Sequence, residues 1–229
     1  MAIKLSRTVC SIAESATLAI DAAAKAMKKA GRDVVNLSAG EPDFDTPSDI
    51  RKAATAAMES GFTRYCPAGG IPDLREAIVE KLRKDNGLEY APDCVAVTNG
   101  AKQAIYLALQ SILDPGDRVL VQAPYWVSYS EMVKSLGGVP VCLPAKYADG
   151  FAFDVNQVVK RITPRTKALI LNSPNNPTGA VLPQETLAQL EEALFKRKAG
   201  GGKAGKKKPI AGMCIISDEI YEKLVYAPM

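Results

Sequence analysis

The apolar run Ala168-Leu169-Ile170-Leu171 leads into Ser173-Pro174-Asn175-Asn176-Pro177-Thr178-Gly179, a stretch packed with turn-forming residues. A short apolar run bounded in this way reads as a buried strand feeding a tight loop. A second run, Met213-Cys214-Ile215-Ile216, ends on Ser217 and then Asp218-Glu219-Ile220-Tyr221. A carboxylate and a phenol therefore follow closely on its last apolar residue. Strands alternating with helices build an α/β fold, a mostly parallel sheet sandwiched by helices. Ligands of such sheets bind outside the carboxyl ends of the strands, so Asn176, Asp218 and Tyr221 are expected to converge at one edge.

The remaining segments alternate in the same manner. Residues from about Ser11 to Ala30 are alanine-rich and predicted helical, with Gly31 placed to end the helix. Val34-Val35-Asn36-Leu37 predicts a short strand before the loop Ser38 to Phe44, where Gly40 permits close approach of a ligand to the backbone or serves as a plain turn glycine. Thr46-Pro47 predicts a helix start with a capping hydroxyl. The turn-rich loop Tyr65 to Pro72 feeds a helix whose apolar face is Leu74, Ala77, Ile78 and Leu82. Cys94 to Val97 predicts a buried strand, followed by Thr98-Asn99-Gly100-Ala101-Lys102 at the head of a helix carrying Ile105, Ala108, Leu109 and Ile112. A glycine turn opening a helix is an anion site, because its first N–H groups and the positive helix end face the loop. Further strands are expected at 119–121, 139–143 and 167–171, with helices over 154–162 and from Gln184 to about Lys198.

Composition removes several function classes. There is no histidine, which excludes Ser-His and Cys-His catalysis and the usual histidine-containing zinc sites. The five cysteines are scattered and odd in number, and read as buried reduced thiols. The formal charge of +4 is local: removing Lys196, Arg197, Lys198, Lys203, Lys206, Lys207 and Lys208 takes it to −3. A general nucleic-acid footprint is therefore not expected. The Lys/Gly-rich stretch at about 196–209 reads as a solvated insertion. No apolar run approaches the roughly 20 residues of a membrane helix, and the N-terminus lacks a signal-peptide core. No membrane partner is expected, and a cytoplasmic location is, an organelle staying open if the N-terminus is incomplete.

Asn-Pro-Thr-Gly followed by Ser-Asp-Glu-Ile-Tyr resembles the class I aminotransferases of the pyridoxal-phosphate fold type I group, most closely the aspartate aminotransferase branch. The resemblance runs from about Leu5 to the C-terminus, broken by the insertion. It implies an N-terminal arm and small-domain segment over 1–45 and a partial cofactor-binding large domain over 46–229, the C-terminal small domain being absent. It implies pyridoxal 5'-phosphate as cofactor, with its phosphate on the amides of Gly100, Ala101 and Lys102 and its ring against Trp126. Asn176 and Tyr221 would bond the ring 3-oxygen, and Asp218 the pyridine nitrogen. Gly40 would meet the substrate α-carboxylate, with Trp126 and Asn176 also lining the substrate site, and Tyr65 would reach the cofactor phosphate of a partner copy, which implies a homodimer.

By the same resemblance, the lysine that binds the aldehyde and the arginine that fixes the α-carboxylate fall beyond Met229. Lys223, five residues after Asp218 on the same local segment, is not expected to replace that lysine. The implied reaction moves an amino group from an acidic amino acid to a 2-oxo acid in two half-reactions. Open beside it are a prephenate-accepting relative, for which Lys146 is a conceivable carboxylate contact, a lyase on the same fold, and a non-catalytic cofactor-binding or dimerising fragment.

Overall fold

The computed structural model describes residues 3–13, 15–38, 40, 42, 44–195 and 212–226. The Lys/Gly-rich insertion and three residues of the loop after Ser38 (Ala39, Glu41 and Asp43) lie outside these. In chain order the elements are α1 (Arg7–Cys10), α2 (Ala16–Lys29), α3 (Ser48–Glu59), α4 (Pro72–Asn86), α5 (Gly100–Ile112), β1 (Arg118–Ala123), α6 (Ser128–Ser135), β2 (Val139–Pro144), α7 (Val155–Arg161), β3 (Thr166–Asn172), α8 (Gln184–Leu194) and β4 (Cys214–Asp218). They fall into two compact units, residues 1–13 with 99–229, and residues 14–98. The sequence boundary at residue 45 lies inside the second of these.

The first unit is built on a four-stranded sheet, ordered β2-β1-β3-β4, with every pair parallel. Its central strands are apolar at successive positions because both faces are covered, which is how strands of such sheets read. On one face Val119, Val121, Ala168 and Ile170 pack with Ile105 and Leu109 of α5 and with Tyr129, Met132 and Val133 of α6. On the other, Leu120, Leu143, Leu169 and Leu171 pack with Val158 of α7 and with Leu190 and Leu194 of α8. The period-two alternation of a strand thus feeds two separate cores. Asp154 caps α7, its side chain accepting from the Asn156 amide over 2.9 Å. The α/β fold expected from the sequence is the fold observed.

In the second unit, α2 starts at a Ser15 cap and carries an ion pair, Lys25 to Asp21 at 2.8 Å. Three sequence expectations are corrected here. Residues 34–37 and 94–97 are not strands: Val35 and Leu37 are largely exposed, and Pro92–Cys94 form a 3-10 turn. Thr46 does not cap α3, whose N-cap is Pro47 with no side-chain bond. The face of α4 is only partly covered, Leu74 being 42% exposed.

A fourth correction concerns the cysteines, which are free but exposed rather than buried. Cys142 and Cys214 lie on the two outer strands of the sheet, Cys10 ends the short exposed helix α1, Cys94 ends a 3-10 turn and Cys66 lies in a loop, so none reaches a core. Among the described residues no helix is long and apolar enough to cross a membrane.

Candidate functional site

β3 and β4 end side by side, with Asn172 paired to Asp218. Asn172 Nδ2 donates to the Asp218 carbonyl over 3.0 Å, and Asn172 Oδ1 accepts from the Asn176 amide over 2.7 Å. One strand-end side chain therefore ties the following loop to the neighbouring strand. That loop is also closed on itself. Asn175 Oδ1 accepts from Thr178 Oγ1 over 2.8 Å, the Asn175 amide donates to the Ala180 carbonyl over 2.9 Å, and Ser173 Oγ accepts from the Leu182 amide over 3.0 Å. Asn176 is thus presented from a fixed backbone, and its Nδ2 donates to the Tyr221 hydroxyl over 3.3 Å.

Asp218 is buried at the end of β4. The Tyr129 hydroxyl donates to its Oδ2 over 2.5 Å and the Ile220 amide to its Oδ1 over 3.2 Å. Tyr129 comes from the first turn of α6, three residues after Trp126, and the two rings meet edge to face, 5.4 Å apart at 89°. Lys102 Nζ stands 4.9 Å above the Trp126 ring. Lys102 belongs to the first turn of α5, which opens on Gly100 without a side-chain cap from Asn99. Gly100 has φ +77°, which L side chains rarely adopt, and the space beside its Cα is open.

Among the residues expected from sequence, Lys102, Trp126, Asn176, Asp218 and Tyr221 form one chain of contacts in the first unit, with Gly100 and Ala101 at the head of α5. The strand expected before α5 is absent, but the helix N-terminus it was to feed is present. Gly40 and Tyr65 belong to the second unit, where Tyr65 is fully exposed and the space beside Gly40 is open. Two residues of the cluster were given no role by the sequence reading. Asn172 is the polar residue closing an apolar strand, and Tyr129 is marked only by its spacing of three from Trp126.

Burial first, and then the hydrogen bond to Asp218, push the Tyr129 phenol far above its ordinary value. A raised folded-state pKa gives a stabilisation that is complete below the unfolded value, about 10, and is lost as pH rises toward the folded value. Tyr129→Phe is therefore expected to lower stability at neutral pH by about 1.5–3 kcal/mol, the range for a hydrogen bond to a charged group. The gap from the unsubstituted chain should narrow above about pH 10, as urea unfolding of both from about pH 7 upward would measure.

The arrangement offers a buried carboxylate acceptor, an amide and phenol pair, an aromatic face and a helix N-terminus. This set suits a flat heteroaromatic ring carrying an anionic arm. A family model described as aminotransferase class I and II matches residues 32–200. A probable aspartate/prephenate aminotransferase of Thermus aquaticus is 49% identical over 97% of this chain and 54% of its own length. An aspartate aminotransferase of Geobacillus stearothermophilus is 48% identical over 97% of this chain and 53% of its own length. Among solved structures, the aspartate aminotransferase of Thermus thermophilus with maleate superposes with a TM-score of 0.89 at 47% identity, covering 99% of this chain and 56% of that one. The chain therefore spans about half the length of the relatives it matches, and it belongs to the class I and II aminotransferase family.

Proposed function

We propose that the chain forms the cofactor-binding part of a pyridoxal-phosphate-dependent aminotransferase that passes an amino group from aspartate or glutamate to a 2-oxo acid. The observation that carries this reading is buried Asp218, its carbonyl joined through Asn172 to Asn176 and Tyr221 and its carboxylate through Tyr129 to Trp126.

The residues fit the cofactor. Asn99 gives the first turn of α5 no side-chain cap and the space beside the Gly100 Cα is open, an arrangement in which the amides of Gly100, Ala101 and Lys102 would hold the phosphate. Asn176 and Tyr221 would bond the ring oxygen and Trp126 would cover a ring face. When bound, pyridoxal phosphate supplies an electron sink for charge developing at the amino acid α-carbon. The part of Asp218 is to keep a proton on the ring nitrogen, since a nearby opposite charge favours the charged form. Gly40 would meet the substrate α-carboxylate, with Trp126 and Asn176 bordering the same substrate.

Tyr65 would serve the phosphate of a second copy, so the reading includes a homodimer. It includes a cytoplasmic location as well. The names of the relatives support acidic amino acids as donors, and those named aspartate/prephenate aminotransferases extend the acceptors to prephenate.

Trp126 is the only tryptophan in the chain, so its fluorescence reports directly on this site. Titration with pyridoxal phosphate should quench it saturably. Asp218→Asn should weaken the apparent affinity by about 10- to 100-fold, the equivalent of a hydrogen bond to a charged group. Absence of saturable quenching, or an Asp218→Asn chain that binds as the unsubstituted one does, would overturn the reading.

A further inference from the structure

We propose that Tyr129 is a positioning residue whose hydroxyl holds the Asp218 carboxylate in the orientation that a protonated ring nitrogen requires. This rests on the pyridoxal-phosphate reading above and adds to it a residue that never touches the substrate.

Both oxygens of Asp218 are held by the protein, Oδ2 by the Tyr129 hydroxyl and Oδ1 by the Ile220 amide. With one donor on each oxygen the plane of the carboxylate is fixed, while each oxygen keeps a further lone pair for an incoming N–H. Tyr129 is itself immobilised: it is 1% exposed, its amide donates to the Trp126 carbonyl over 3.0 Å, and its ring abuts the Trp126 ring. A residue three positions from the ring-facing tryptophan therefore sets the geometry of the carboxylate at the end of β4.

The charge balance points the same way. A buried carboxylate is costly unless donors or a cation meet it. The two donors that meet its side chain, the Tyr129 hydroxyl and the Ile220 amide, are both neutral. Such donors orient the carboxylate without neutralising it, and leave lone pairs for a cationic N–H arriving from a ligand. Asn172 bonds the Asp218 carbonyl rather than the carboxylate, and Tyr221, which also acts electrostatically on Tyr129, is engaged with Asn176. The phenol resists ionisation for the reasons given above and so stays a donor throughout the neutral range.

The test uses the full chain in three forms, unsubstituted, Tyr129→Phe and Asp218→Asn, with Tyr125→Phe as a neighbouring control. Before cofactor is added, the Tyr129 ring-carbon NMR resonance is followed with pH. In Asp218→Asn the phenol should ionise more readily, since the carboxylate that opposes ionisation is gone while the burial remains. Pyridoxal phosphate labelled with nitrogen-15 in the ring is then added. In Tyr129→Phe the bound ring nitrogen should move toward its unprotonated shift and the affinity fall by about 3- to 10-fold, while Tyr125→Phe changes neither. A Tyr129 resonance indifferent to Asp218→Asn overturns the proposal. So does a ring nitrogen unmoved by Tyr129→Phe while binding still depends on Asp218, an outcome that leaves the cofactor reading standing. Failure of the unsubstituted chain to take up the cofactor overturns both.

Discussion

Leu169→Ala is expected to destabilise the sheet by about 2–5 kcal/mol, the range for truncating a buried leucine. Leu169 is wholly buried in β3, an inner strand, and its backbone is registered against Leu120 of β1 and Ile215 of β4. Its side chain points into the cluster formed with α7 and α8, which rigid neighbours on the same face prevent from closing over the lost methyl groups. A domain of this size is stable by only about 5–15 kcal/mol, so one such change removes a large fraction of the total. Leu187→Ala on α8, where the side chain is 44% exposed, should cost well under half as much. Urea midpoints of the two variants measure the contrast. Equal and small effects would mean that the Leu169 face is not the packed one. Because β3 ends on Asn172 and β4 on Asp218, cofactor affinity in Leu169→Ala should fall only in proportion to the unfolded fraction.

The strands that position the site were legible because both their faces are buried. Ala168 to Leu171 and Val119 to Val121 are continuous apolar runs, and their alternate residues supply the two cores. The same criterion misled at Val34 to Leu37 and Cys94 to Val97. An apolar run records a tendency toward burial, whereas a strand also needs a hydrogen-bonding neighbour, and only long-range structure supplies one. Thr46 failed as a cap for a local reason: the helix starts two residues later, at Ser48, leaving the threonine outside the capping position.

Within the site, Asn176, Asp218 and Tyr221 could be singled out because polar residues directly after an apolar run are conspicuous. Tyr129 could not. Its partner lies 89 residues away, and by burial it is a core aromatic like any other. Its hydroxyl acquires a purpose only once the sheet has brought β4 to it.

Gly70→Ala is expected to strain the 14–98 unit through two separable effects. Gly70 has φ +100°, outside the regions open to L side chains, and a residue forced to remain there costs about 1–3 kcal/mol. An added Cβ would also lie 2.5 Å from Val97 Cγ2 and 2.8 Å from Val97 Cβ, closer than carbon atoms tolerate, and overpacking of this kind costs about 1–3 kcal/mol more. The backbone has little room to relax, because the Gly70 amide donates to the Pro67 carbonyl over 2.9 Å and the Val97 amide to the Gly69 carbonyl over 3.0 Å. Val97→Ala removes the nearer of the clashing atoms but keeps the Val97 Cβ, so the double variant Gly70→Ala, Val97→Ala should recover part of the packing cost and leave the remainder with the backbone cost. A coupling of about 0.5–3 kcal/mol between the two changes is expected. This loop also carries Tyr65, so a Gly70→Ala chain that keeps its stability would mean that the loop repacks and that the position of Tyr65 is adjustable. A double variant no more stable than Gly70→Ala would instead place the cost in the backbone angle and the remaining Val97 Cβ contact, both of which only glycine at position 70 avoids.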